Sequence, residues 1–207
     1  MVESHRRYCG YGGNSVTDLP SRIIDAMSSI VFVDRTYPML TAWGVRDEDV
    51  FVHSLGCSAW NALGHEFGYM AVSECPAPVT FGSDIRADST WFCKNQRAPT
   101  VLIEFERFDG TGRGQQKIDE KLCNLMDAAM RWKYTPSVLI LSTWSKGVVS
   151  APDTDALVRR CREGFKSTIG AYVPPLKNTV VLFSRFLFEV QNGGALFLHQ
   201  TKCTRLA

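Results

Sequence analysis

The chain has 207 residues, 45% of them hydrophobic and 21% charged, and a formal net charge of +2. This is ordinary globular composition, enough for one substantial core. A nucleic-acid partner is neither demanded nor excluded, because any basic footprint would have to be local. No apolar run approaches the ~18 residues that span a bilayer. The polar start MVESHRRYCGYGGNS lacks the apolar region of a secretory signal, so a cytoplasmic location is expected. The seven cysteines (9, 57, 75, 93, 123, 161 and 203) show no CxxC pair. Reduced thiols are therefore expected, and no clustered zinc ligands are visible.

Residues 1–19 read as a flexible arm carrying Gly10, Gly12 and Gly13. From Pro20 the pattern turns helical through Ile23, Ile24, Met27, Ile30 and Val31, and Tyr37-Pro38 and Gly44 break it, which makes 20–56 a helical extension. Asp47-Glu48-Asp49 reads as a solvated turn or a helix start. A second helix is predicted from near Ser58 through AWNALGHEFGYMAVS, with Glu66 on the face of Leu63 and Met70. CPAP (75–78) ends it, and the period then drops to two. VTFGSDIRADSTWF suggests a strand, a turn and a second strand from near Ile85, and TVLIEFERF follows as a third after CKNQRAP. The three form an antiparallel meander.

Beyond the DGTGRG link, a helix is predicted from about Gln115 to Lys133, with Ile118, Leu122, Leu125, Met126 and Ala129 as its apolar stripe. Val138 to Leu141 reads as a strand covered on both faces. Asp153 or Thr154 caps another helix to about Ser167. Two strands around Asn192-Gly193-Gly194 close the chain as a β-hairpin. The order predicts a single α/β domain over 1–207, with a mixed central sheet flanked by helices.

The feature that most needs explaining is VLIEFERF, residues 101–108. Alternation puts Glu104 and Glu106 on one face of a segment that is otherwise apolar. At roughly 7 Å along a strand, two ionised carboxylates repel by about 2 kcal/mol at an effective dielectric of about 20. Burial adds a desolvation cost to each ion. Protonation, paired cations or a bound metal could offset this. Magnesium takes carboxylate oxygens and keeps several waters. Asp88, on the preceding strand, could supply a third carboxylate if the register allows.

Glu66 on a helix, Asp88 in RADSTWF, Glu104 and Glu106 in VLIEFER, then an amphipathic helix and a strand: this order resembles the PD-(D/E)xK, or restriction-endonuclease-like, nuclease superfamily. The resemblance covers about residues 58–145. It implies a Mg²⁺- or Mn²⁺-dependent hydrolase of DNA phosphodiester bonds. Asp88, Glu104 and Glu66 would bind metal, and Glu106 would orient or deprotonate the attacking water. The sequence departs from the family pattern at two points. Ala87 precedes Asp88 where the family has Pro, and Glu106 stands where it usually has Lys. A second Glu at that position occurs in some restriction endonucleases of the superfamily. Alternatively, the lysine has moved to Lys117 or Lys121 on the next helix, although either could simply be solvated.

Two further readings compete with this one. The first is a nuclease-fold protein that no longer cuts and acts as a nucleic-acid or protein binding module. The second is an unrelated α/β enzyme whose Glu104 and Glu106 lie at the surface of an edge strand. Wide separation of Glu66 and Asp88 from Glu104 would favour the last reading, whereas metal-dependent DNA cleavage and a metal-dependent shift in melting temperature separate the nuclease from the binding module. Arg113, in the glycine-rich link, is a candidate phosphate contact beside Lys117 and Lys121. DGTGRG lacks the spacing of a nucleotide-binding loop. The four histidines are scattered and offer no HExxH pair. The first 56 residues could contribute a homodimer contact or a substrate contact.

Overall fold

The computed structural model describes residues 18–46, 49–79, 84–167, 170–191 and 193–207. The chain opens with α1 (Leu19–Met27), α2 (Val31–Thr36), a π-helical turn (Met39–Trp43) and the short strand β1 (Val45–Arg46). Asp18 caps α1 by accepting the Ser21 N–H at 3.1 Å, with Pro20 in the first turn. α1, the π-helical turn and β1 pack on the last strand while α2 packs against that turn and its neighbouring helices, and together they bury Ile23, Met27, Val33 and Leu40.

The central order follows as α3 (Asp49–Glu66), β2 (Met70–Pro76), β3 (Arg86–Phe92), β4 (Pro99–Arg107), α4 (Gly112–Arg131) and β5 (Val138–Lys146). Then come α5 (Thr154–Glu163), the two-residue strands β6 (Phe165–Lys166) and β7 (Tyr172–Val173), and the hairpin β8 (Val180–Val190) with β9 (Ala195–Arg205). The main sheet is seven-stranded and mixed, in the order β1-β9-β8-β5-β4-β3-β2. β2, β3 and β4 form an antiparallel meander; β4–β5 and β5–β8 are parallel; β8–β9 is antiparallel.

Helices cover both faces. Val101, Ile103 and Phe105 of β4 join the core under α1 and α3, while Leu102 joins the core under α4 and α5. Gly56, Trp60 and Gly64 recur every fourth residue on α3 and set how closely it lies on the sheet. A Cβ at Gly56 would stand 2.1 Å from the Phe105 ring, and one at Gly64 2.8 Å from Trp91. Only glycine permits this approach.

The α/β class, the β3–β4 pair, α4 and the hairpin agree with the sequence reading; α5 starts as expected but ends at Glu163, short of Ser167, where Gly164 terminates it and β6 follows. The differences cluster in the first half. The second helix begins at Asp49, not near Ser58, and stops at Glu66. Gly68 ends it at a φ of 85°, and the Tyr69 N–H reaches back to the Gly64 carbonyl. Residues 70–76, read as helix and breaker, are the edge strand β2. Apolar Met70 and Val72 are exposed together with Ser73 and Glu74, so residue type and burial do not correlate along the strand and leave no pattern to read. The strand expected from Val79 lies, beyond Val79 itself, outside the described residues; so does the arm as far as residue 17, whereas Asp18 and Leu19, read as its end, cap and begin α1. β5 runs beyond Leu141 to Lys146 because Ser142, Thr143 and Ser145 are buried despite their polarity.

Five cysteines are free thiols, namely 57, 75, 123, 161 and 203. Cys93, next after β3, is disulfide-bonded, which departs from the expectation of reduced thiols throughout. Among the described residues, no helix is long and apolar enough to cross a membrane.

Candidate functional site

β3 and β4 pair from Phe92↔Pro99 as far as Ser89↔Ile103, and there the ladder stops. One more step in register would set Asp88 opposite Glu104. Instead the Asp88 side chain enters the gap and its Oδ2 accepts the Phe105 N–H at 2.7 Å. A side chain thus satisfies a buried backbone donor where the ladder has ended. Because it sits between parting strands, Asp88 meets both helical layers. His53 of α3 approaches its Oδ1 to 3.6 Å, and Lys121 of α4 adds a favourable charge from the other side.

Glu104 and Glu106 share the α4 face with Leu102, and each has a lysine. Lys121 donates to Glu104 Oε2 at 2.8 Å and Lys117 to Glu106 Oε1 at 2.7 Å. The match follows from geometry: four helical residues rise about 6 Å and two strand residues about 6.6 Å. Arg113 continues the same stripe, exposed in the first turn of α4. Exposure falls along it, from Lys117 at 55% to Lys121 at 27%, and Glu104 itself is 1% exposed. The reading of these carboxylates as surface residues of an edge strand does not hold, because β4 lies inside the sheet.

Burial, followed by the neighbouring Asp88 carboxylate, pushes the Glu104 carboxyl up to about 8, with Lys121 pulling the other way. Burial would raise Asp88 too. His53, the Phe105 N–H and Lys121 together outweigh that and hold Asp88 below the usual carboxylate range. Burial also works against the charge on Lys121, but Glu104 and Asp88 raise it overall. Burial thus favours the protonated form at Glu104 while Asp88 keeps its charge, an arrangement in which a cation can replace the proton.

Glu66 is not part of this cluster. It is the last residue of α3, half exposed and paired with Arg35. Thirteen residues separate it from His53, or about 20 Å along the helix axis. Sequence reasoning placed it on an apolar face, whereas the helix ends under it. DGTGRG is a capping turn: Thr111 accepts the Gly114 N–H at 3.0 Å, and Asp109 accepts from Thr111. Arg160, in the basic run of α5, is tied to Asp119.

The sequence reading missed His53 and Cys57. They stand one turn apart on α3, with His53 Nε2 3.6 Å from Cys57 Sγ. With Asp88 they form a group whose ligand atoms all lie within 4.8 Å of one another and which could hold a metal ion. The bond to Asp88, then that to Cys57, raises His53 to about 10 against the effect of burial. The signal was a His-x₃-Cys spacing, legible only once residues 49–57 are known to be helical.

No protein-family model matches the chain, and neither does any curated protein or solved structure. The class established is an α/β protein with a mixed seven-stranded sheet and a buried carboxylate–lysine cluster beside a potential metal-binding group.

Proposed function

We propose that the chain is a Mg²⁺-dependent hydrolase of DNA phosphodiester bonds, with Asp88 and Glu104 as the carboxylates that hold the ion and Lys121 as the catalytic cation. The observation that carries this is the Lys121 ammonium, 2.8 Å from a buried Glu104 that neighbours Asp88. The lysine absent from position 106 is supplied by the following helix. The run α3-β2-β3-β4-α4-β5 has the order of elements that the nuclease resemblance implies, and this supports the reading.

The donor set suits a hard divalent cation, Mg²⁺ or Mn²⁺, through carboxylate oxygens. When bound, the ion polarises the phosphate and acidifies a water. Asp88 and Glu104 hold it and give up their shared proton. Lys121 places a positive charge beside them, where it stabilises charge developing on a phosphate oxygen. Glu106, tied to Lys117, orients water at the more open end. Arg113 and Lys117 contact the DNA backbone along the exposed part of the stripe.

Purified protein should cleave plasmid or linear DNA with Mg²⁺ or Mn²⁺ and not with EDTA, and Glu104→Ala should abolish cleavage. If the wild type and Glu104→Ala cut alike, the reading fails. DNA binding without cleavage would instead favour a binding module on this fold.

A further inference from the structure

His53, Cys57 and Asp88 offer a nitrogen, a sulfur and an oxygen to one point on the α3 side of the β3–β4 gap. His53 Nε2 is 3.6 Å from Cys57 Sγ and 3.6 Å from Asp88 Oδ1. In a tetrahedral zinc site, bonds of about 2.0 Å to nitrogen and oxygen and about 2.3 Å to sulfur separate neighbouring ligand atoms by roughly 3.3–3.6 Å. His53 therefore stands within a few tenths of an ångström of the coordinating separation from both partners, and Cys57 Sγ and Asp88, within 4.8 Å of each other, need only side-chain adjustment to complete the set.

We propose that these three residues bind a borderline-soft divalent ion of the zinc class, distinct from the hard cation at Glu104. Thiolate and imidazole select Zn²⁺ or Co²⁺, whereas Mg²⁺ takes oxygen ligands. Three protein ligands leave a fourth position for water or a substrate atom, the pattern of an open rather than a closed zinc site. On binding, the Cys57 thiol and the His53 imidazolium each release a proton to solvent, and the imidazole coordinates through Nε2. Access is on the His53 side, where the ring is 36% exposed, while Asp88 is 7% exposed.

Several packing features preorganise the site. His53 and Cys57 are fixed one helical turn apart. Gly56, between them, lets α3 close on Phe105. Asp88 is anchored by the Phe105 N–H. Asn61, one turn beyond Cys57, accepts from Ser89 at 2.6 Å and ties the same helix face to the strand residue after Asp88. Asp88 is the one residue shared with the carboxylate pair, so ions at the two sites are coupled through it.

The test is Co²⁺ titration of chelator-treated protein, read by absorption. One equivalent of Co²⁺ should produce a thiolate-to-cobalt charge-transfer band and the intense visible bands of four-coordination. Cys57→Ser should lose the charge-transfer band. His53→Gln should weaken Co²⁺ binding at least about 10-fold, the loss seen when even an outer partner of a metal ligand is removed. Circular dichroism should show both variants folded. Glu104→Ala should keep the band while losing Mg²⁺-dependent cleavage, which separates the two sites. Absence of the band in the wild type, or its persistence in folded Cys57→Ser, overturns the proposal. Either result can occur with Mg²⁺ cleavage intact, so it leaves the phosphodiesterase reading standing.

Discussion

Lys121 donates to Glu104 at 2.8 Å, joining a helix cation to a strand carboxylate that is 1% exposed. Lys117 and Glu106 form the parallel pair one turn earlier, at 55% and 12% exposure. Under the proposed hydrolase reading the chemistry belongs to the deeper pair, where water is excluded and a fixed charge acts most strongly. Lys121→Met should lower the DNA cleavage rate by about 10²-fold or more, the usual loss for a removed transition-state donor. Lys117→Met should weaken DNA binding and leave the single-turnover rate within about 10-fold, because a phosphate contact mainly contributes affinity. Equal losses in single-turnover rate would deny Lys121 its special place.

The shared proton predicts a pH dependence. The Glu104 carboxyl sits at about 8 in the folded chain against an ordinary 4.5. Between these values the unfolded chain has released the proton and the folded chain keeps it. The folded state then binds more protons, so stability falls as pH rises from 4.5 towards 8. His53, raised to about 10 from 6.5, adds a loss in the same direction at higher pH. Asp88, held low, works the other way and only in acid. Comparison with Glu104→Gln isolates the Glu104 contribution. Urea denaturation at pH 5, 6, 7 and 8 should show the metal-free wild type losing more stability than the variant across that range. Parallel curves would mean that Glu104 is ionised throughout.

Much of the site was legible because strand alternation is a strong rule. Glu104 and Glu106 had to share a face, and their presence in an apolar run demanded a partner. Placing the lysines needed the helix phase and the crossover distance, which set Lys121 against Glu104 and Lys117 against Glu106. Asp88 was found by type, but its place between strands depends on where the β3–β4 ladder stops, and sequence does not encode that locally. His53 and Cys57 were hidden because α3 starts nine residues earlier than its apolar pattern suggests. Glu66 misled because its helical spacing was sound while the helix ended beneath it.

Glu66 therefore supplies a control. Its pair with Arg35 is 63% and 48% exposed, and such pairs contribute at most about 1 kcal/mol, screened by salt. Glu66→Ala should leave Mg²⁺-dependent cleavage and Co²⁺ binding at wild-type levels and shift the thermal midpoint little. A loss of cleavage comparable to that of Glu104→Ala would bring Glu66 back into the metal site and require α3 to lie differently on the sheet.

Gly56 tests whether close packing of α3 builds the soft-ion group. Alanine there would put a methyl 2.1 Å from one Phe105 ring carbon and 2.3 Å from the next. The ring cannot yield freely: it is fully buried, and Phe186 crosses it edge-on with centroids 5.2 Å apart. Overpacking of this kind costs about 1–3 kcal/mol and is relieved by backbone movement. That movement carries His53 and Cys57 away from Asp88, while Lys121 and Glu104 lie on the opposite face. Gly56→Ala should thus lower thermal stability and weaken Co²⁺ binding, yet retain more Mg²⁺-dependent cleavage than Lys121→Met. Adding Phe105→Leu, which makes room for the methyl, should recover part of both losses, and a double-mutant cycle measures the coupling. Unchanged Co²⁺ affinity in Gly56→Ala would show that the three ligands do not depend on the close approach of helix and strand.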